Sequence, residues 1–313
     1  MNLKMVYLAA ALLIWGLLLS GCDIDDSQGC VSDSSCQDDR ICWQGACTSE
    51  ERYVALDVRS YVACAVTAKG YLECEMSPEE MPREDGFVDM STGLMGGCGL
   101  RADGTSSCWG QSEATHVPPG LRLKFLDIGS STACGIRDDD ALVCWTGDQV
   151  DVIDGSFLHV SVVFNFWCAV ETGGEIMCST TQIQPPAGKF KNVSFSIIYH
   201  SWEVVLCGVS AEGDLTCREV TDGEDREVWS PSGTFVSVSN GGEFACGLRD
   251  DGKVICSEFE GIYKPEDEEM EREEIDIEPP DERFVSISAS SEGACGITVD
   301  GRIRCWGSEY LRR

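Results

Sequence analysis

From residue 53 onward a short stretch of alternating apolar and polar positions recurs seven times. The copies are Tyr53-Val54-Ala55-Leu56, Phe87-Val88-Asp89-Met90, Phe125-Leu126-Asp127-Ile128, Phe157-Leu158-His159-Val160, Phe190-Lys191-Asn192-Val193, Phe235-Val236-Ser237-Val238 and Phe284-Val285-Ser286-Ile287. Period-two alternation is the pattern of a strand with one buried face. Each copy is followed by two cysteines with nine residues between them: Cys64/Cys74, Cys98/Cys108, Cys134/Cys144, Cys168/Cys178, Cys207/Cys217, Cys246/Cys256 and Cys295/Cys305. Identical spacing in seven copies defines an internal repeat.

The second half of each repeat predicts a hairpin. Six copies place a glycine six residues after the first cysteine (Gly70, Gly104, Gly174, Gly213, Gly252, Gly301), and the remaining copy has Asp140 there. Glycine suits the left-handed third position of a three-residue loop, such as Ala102-Asp103-Gly104, and aspartate tolerates that conformation better than most residues. With this loop Arg101 faces Thr105, Leu100 faces Ser106, Gly99 faces Ser107 and Cys98 faces Cys108. The cysteines then occupy a non-hydrogen-bonded pair with Cα atoms ~4.5 Å apart, at the close end of disulfide reach. Each pair is expected to be bridged within its own hairpin. The same face carries Val66/Leu72, Ile136/Leu142, Val170/Ile176, Val209/Leu215, Leu248/Val254 and Ile297/Ile303. Redox or metal chemistry fits poorly with pairs repeated in every copy; no metal site and no cofactor are expected.

Residues 49–313 divide into seven units of about 38 residues, longer than a β-helix rung and close to one propeller blade. The reading is all-β, a seven-bladed β-propeller. Tryptophan follows the second cysteine only at Trp109, Trp145 and Trp306, so the outer strand is expected to be short or irregular in several blades. The chain stops soon after Trp306, so the last blade is expected to borrow a strand from residues 49–56, closing otherwise open sheet edges.

The consensus Phe-Val-x-Val/Ile-Ser, Cys-Gly-Leu, Asp-Gly, Cys-Trp-Gly is best kept at Cys98–Gly110, Cys246–Cys256 and Cys295–Gly307. It resembles the regulator of chromosome condensation repeat and its bacterial relatives, and the resemblance implies a seven-bladed β-propeller. The repeats here are shorter than is usual in that family and lack its Gly-Gln-Leu-Gly segment.

The amino terminus adds a location. One lysine, Lys4, precedes an apolar run from Met5 to Leu19, too short to span a bilayer comfortably. Leu19-Ser20-Gly21-Cys22 closely resembles a bacterial lipoprotein signal, which implies cleavage after residue 21 and lipidation of Cys22. Asp23 resembles the inner-membrane retention signal of enteric bacteria, a code that not all other bacterial groups obey, so membrane and leaflet stay open. The expected organisation is a signal peptide at 1–21, a lipid-anchored linker at 22–29, a Cys-rich module at 30–48 and the propeller at 49–313. Cys30, Cys36, Cys42 and Cys47 lie in a polar stretch that cannot bury a core, so bridges are expected; the preferred pairing is Cys30–Cys42 with Cys36–Cys47.

Charge narrows function. Twenty-three basic against 54 acidic residues give −31, a field that repels nucleic acid. An acidic insertion at 264–283 is read as a solvated loop, with a partner-docking arm or Ca²⁺-attracting segment as alternatives. No serine-hydrolase elbow, metalloprotease helix or phosphate loop is present, and a non-enzymatic scaffold for a protein partner, monomeric and anchored in the cell envelope on its periplasmic or surface side, is the leading reading. Within the resembled family one branch is a nucleotide exchange factor for a nuclear GTPase, a role at odds with the lipoprotein signal. A similar secreted bacterial propeller inhibits β-lactamase, which makes enzyme inhibition an alternative. A glycan ligand is another, with Trp167, Tyr199, Trp202 and Trp229 as stacking platforms; a glycan-active enzyme is the least favoured.

Overall fold

The computed structural model describes residues 41–43, 46–48, 51–59, 62–75, 81–198, 203–220, 225–259, 276–308 and 311. The signal segment, Cys22, Cys30, Cys36 and residues 264–275 lie outside them. The chain separates into two compact units, Met1–Glu50 and Glu51–Arg313. In the first, strands Ile41–Trp43 and Ala46–Thr48 form a hairpin with Cys42 opposite Cys47. The expected bridges Cys30–Cys42 and Cys36–Cys47 each involve a residue outside the described set.

The second unit is a seven-bladed β-propeller. Each blade is an antiparallel sheet of consecutive strands. Blade 1 comprises Tyr53–Arg59, Val62–Thr67 and Leu72–Cys74; blade 2, Phe87–Gly93, Gly96–Arg101 and Ser106–Gly110. Blade 3 has Phe125–Ile128, Ala133–Ile136, Leu142–Thr146 and Gln149–Ile153; blade 4 has Phe157–Val163, Phe166–Glu171 and Ile176–Cys178. Blade 5 has Phe190–Ile197, Val204–Ser210, Leu215–Glu219 and Arg226–Trp229; blade 6 has Phe235–Asn240, Phe244–Arg249 and Val254–Glu258. Blade 7 has Phe284–Ser290, Gly293–Thr298 and Ile303–Gly307. Among the described residues only blades 3 and 5 show a fourth strand, which does not follow the tryptophans: blade 2 has Trp109 and three strands, blade 5 lacks the tryptophan and has four. The first strands lie side by side around the hub, and that of blade 7 meets that of blade 1.

The hairpins form as their spacing requires. Arg101 N–H donates to Thr105 O at 2.8 Å and Gly104 N–H to Arg101 O at 2.9 Å. Gly104 has φ +83° and Asp140 +68°. Cys98 pairs with Cys108, Gly99 with Ser107 and Leu100 with Ser106. Every blade carries its expected bridge within one hairpin. Cys64 is joined to Cys74, Cys98 to Cys108, Cys134 to Cys144 and Cys168 to Cys178. Cys207 is joined to Cys217, Cys246 to Cys256 and Cys295 to Cys305. Their Cα atoms stand 3.9–4.1 Å apart, somewhat closer than the spacing of an unbridged pair. Covalent cross-links in every blade belong to an oxidising compartment.

The core is divided among the interfaces between blades. Each cysteine face packs on the next blade's first strand. Cys64, Val66 and Leu72 meet Phe87 and Met90, and Cys134 and Cys144 meet Phe157 and Val160. Cys207, Val209, Leu215 and Cys217 meet Phe235 and Val238, while Cys295 and the partly buried Cys305 meet Val58 of blade 1. The leading Phe also lies over the glycine of its own Cys-Gly-Leu. A Cβ on Gly99 would stand 2.5 Å from the Phe87 ring, and one on Gly296 2.5 Å from Phe284. The motif therefore couples a large side chain to an absent one.

Counting the leading aromatic of each first strand as position 0, two rings of hydrogen bonds join the blades. The position-0 N–H donates to the turn carbonyl of the preceding blade at 2.7–3.0 Å: Phe87 to Gly70, Leu123 to Gly104, Phe157 to Asp140, Phe190 to Gly174, Phe235 to Gly213, Phe284 to Gly252 and Tyr53 to Gly301. Nearer the hub, the position-4 side chain accepts the position-5 N–H of the following blade. Asp57 takes Thr92, Ser91 takes Ile128, Asp127 takes Val162, Ser161 takes Phe195, Ser194 takes Asn240, Ser239 takes Ala289 and Ser288 takes Val58, at 2.6–3.4 Å.

These rings correct two expectations. In blade 3 position 0 is Leu123, two residues before Phe125: its N–H makes the ring bond, and its side chain lies 2.6 Å from where a Gly135 Cβ would be. Asp127 is thus the position-4 hook. Nor does blade 7 borrow residues 49–56, because Tyr53–Arg59 is the first strand of blade 1. The seam is closed by Tyr53 N–H to Gly301 O, by Val58 N–H to Ser288 Oγ and by the cluster of Val58, Cys295 and Leu311.

Candidate binding face

A bulge follows position 0 in blades 1, 2, 4, 5, 6 and 7. The extra residue leaves the pleat, and position 1 is turned out to solvent. Val54, Val88, Leu158, Val236 and Val285 stand there, 45, 48, 49, 45 and 57 % exposed; Lys124 is exposed at the same position in blade 3, while Lys191 in blade 5 is half-buried, its Nζ donating to Phe235 O at 3.0 Å. Because all seven first strands start at the same end of the ring, these side chains encircle one mouth of the hub.

The second strand is antiparallel to the first, so its turn lies beside the first strand's start. The hairpin turns therefore surround the same mouth, and they are acidic in five blades: Asp103, Asp138 to Asp140, Glu212, Asp250 with Asp251, and Asp300. The Thr105 side chain and amide hold the Asp103 carboxyl below its ordinary range, and the Thr298 hydroxyl does so for Asp300. One face thus presents an apolar inner circle within an anionic outer one.

Three carboxylates sit deeper in blades 1 to 3. Asp57 accepts from the Thr92 N–H and hydroxyl, both at 2.8 Å, and from the Ser288 hydroxyl at 2.8 Å. Asp127 accepts from Ser91 Oγ and lies 3.7 Å from Arg59. Arg59 also donates to Thr92 O and Ile128 O. Burial pushes the carboxyls of Asp89 and Asp127 up to about 6, with Asp57 adding repulsion to both. Burial holds His159 down at about 4, neutral at physiological pH; Asn192 Nδ2 donates to its Nε2 at 3.2 Å.

A cleft of about 550 Å³ opens on this face across blades 1 to 3. Val54, Val88 and Leu100 form apolar walls, Asp89 lies at the first strand, and Arg101, Asp103, Lys124 and Asp138 stand around the opening.

The proposed stacking aromatics are not assembled into a platform. Trp167 and Trp229 are half-buried in separate interblade clusters, while Tyr199 and Trp202 lie outside the described residues. At the end of the acidic insertion Ile277 packs on the blade 6–7 cluster, Asp281 pairs with Lys253 and Glu282 with Arg304, so these residues are tied to the propeller. Among the described residues no three His, Cys, Asp or Glu side chains are arranged to hold a metal ion, and no helix is long and apolar enough to cross a membrane. The bulge ring escaped sequence reading because Phe-Val-x-Val reads as plain alternation.

Residues 284–310 match the regulator of chromosome condensation (RCC1) repeat family. No curated protein sequence matches the chain. Among solved structures, the ectodomain of the Arabidopsis thaliana receptor kinase ACR4 is 18% identical over 82% of this chain and 95% of its own, with a TM-score of 0.58. The Physcomitrella patens receptor kinase CR4 ectodomain is 19% identical over 82% and 73%, also at 0.58. The β-propeller domain of Cps50 (Swd1) from Myceliophteria thermophila is 9% identical over 83% and 97%, at 0.57. With the sevenfold geometry above, the protein is a seven-bladed β-propeller whose last blade matches the regulator of chromosome condensation repeat.

Proposed function

We propose that this protein is a lipid-anchored propeller of the bacterial cell envelope that binds a protein partner on its mouth face without catalysing a reaction. The observation that carries the reading is the circle of five exposed aliphatic side chains framed by acidic turns. Apolar patches inside a charged rim are characteristic of protein contact surfaces. The acidic frame and the charge of −31 select a partner whose facing surface is basic around an apolar centre. The Leu19–Cys22 signal and the disulfides support an envelope location, with Cys22 as the lipid site. Half-burial of Trp167 and Trp229 leaves the glycan alternative with less support.

The test joins anchoring to contact. The full chain fractionates with membranes, and Cys22→Ser releases it. A photo-crosslinker at Val285 gives a discrete protein adduct that one at Val152, exposed on blade 3's outer strand, does not give. Equal adducts at both sites, or none at Val285, overturn the mouth as the contact face.

A further inference from the structure

We propose that the cleft across blades 1 to 3 receives a lysine side chain from the protein partner, its ammonium meeting Asp89 and its stem lying along Val54 and Val88. The inference deepens the protein-binding reading and rests on it. It stands on the charge balance of the opening. Arg101 is already held by Glu84 at 2.5 Å and Ser107 at 3.0 Å, and its guanidinium lies 4.3 Å from the centre of the Phe87 ring. Lys124 pairs with Asp140, and Asp103 faces Arg122 at 3.8 Å. Asp89 and Asp138 are left, and among the described residues neither has a basic partner. The cleft therefore keeps two carboxylates that no described basic side chain pairs with, one of them between apolar walls.

The same balance explains why the ligand is a cation with a hydrocarbon stem. Burial and the neighbouring Asp57 both oppose ionisation of Asp89, and its carboxyl stands at about 6. An incoming positive charge relieves both effects, while Val54 and Val88 cover a methylene chain. Lysine fits better than arginine. One Asp89 oxygen already accepts the Met90 N–H at 2.8 Å, which leaves a single oxygen for a point charge rather than two for a planar fork. The acidic turns raise the local concentration of such a ligand before contact.

The experiment titrates the isotope-labelled full chain with Nα-acetyl-lysine N-methylamide and follows amide shifts by NMR. Its Nε-acetyl derivative and the arginine analogue are run beside it. Shifts are expected at Val88, Asp89 and Gly104, with the Nε-acetyl compound at least tenfold weaker and the arginine compound severalfold weaker. Asp89→Asn should lose at least tenfold, as should lowering the pH from 7.5 to 5, and Val88→Asn should lose about threefold. Equal affinity for the Nε-acetyl compound, or shifts spread over all the acidic turns and untouched by Asp89→Asn, would overturn the cleft. Crosslinking at Val285 combined with no lysine binding here would leave the contact face standing and refute only this site.

Discussion

Removing one hook between blades tests the argument for ring closure most directly. Ser239 Oγ accepts the Ala289 N–H at 2.9 Å across the blade 6–7 interface, and Ala289 is 9% exposed. Ser239→Ala removes the acceptor and leaves a buried amide that water does not readily reach. Stranding such a group costs about 1–3 kcal/mol. For a chain of this size one kcal/mol moves Tm by about 2 °C, so a fall of about 2–6 °C is expected. Ser230→Ala, exposed in the link before blade 6, is the matched control and should stay within ~0.5 kcal/mol. Hydrogen exchange adds the local reading: the Ala289 amide should exchange faster while the blade 6 ladder keeps its protection. An unchanged Tm with an equally protected Ala289 amide would refute the hook as a stabilising contact.

Other outcomes follow from single features. Gly99→Ala should cost about 1–3 kcal/mol through overpacking against Phe87, and Phe87→Leu in the same chain should recover part of it; unfolding midpoints that show no coupling would reject the Phe–Gly pairing. Gly104→Val should destabilise its hairpin far more than Asp140→Gly, because only the former drives a β-branched residue to positive φ; circular dichroism melts showing equal effects would contradict the turn. Replacing Cys246 and Cys256 together by Ser should cost about 3 kcal/mol, and non-reducing peptide maps of the wild type should show no link between repeats. Asp89 is held at about 6 when folded against an ordinary value near 4, so its stabilising protonation is complete below about pH 4 and lost as pH rises through 6. Asp127 acts in the same direction. His159, at about 4 against 6.5, acts oppositely, its contribution lost as pH falls from 6.5 to 4. Asp89→Asn should therefore be more stable than wild type at pH 7.5, with the gap closing at pH 4.5 in denaturant titrations; a gap independent of pH would contradict the burial of that carboxyl.

What could be read from sequence was whatever one repeat decides alone. Nine residues between cysteines, with a glycine at a fixed place, determine a hairpin register because every interaction involved is local. Cys144, Cys217 and Cys305 could each be assigned a partner for that reason, although the residues around them differ from blade to blade. Phe125 misled for the same reason: it looks like the leading aromatic of its repeat, and only its neighbours reveal that Leu123 makes the ring bond and fills the space above Gly135. Ser239 and Ser288 were visible as the serine of Phe-Val-x-Val/Ile-Ser, but their partners lie in the next blade, outside any repeat. The mouth was hidden by the bulge. Strict alternation puts positions 0 and 2 on one face, whereas the bulge moves 0, 3 and 5 to one side and 2 and 4 to the other. Asp89 therefore read as an ordinary strand residue, although it lines the cleft.

The strictly local disulfides also govern how such a chain is made. Partners are 10 residues apart, whereas the second cysteine of one blade is never nearer than 24 residues to the first cysteine of the next. Chain entropy alone favours the correct partner by about 0.8 kcal/mol, and the glycine turn adds to that. A chain entering an oxidising space amino end first can oxidise each hairpin as it emerges, with the right thiol already at hand. Within the propeller none of these bridges needs reshuffling later. Only the seam, where Val58 meets Ser288 across 230 residues, must wait for the last blade, so every propeller bridge can form without the ring being shut.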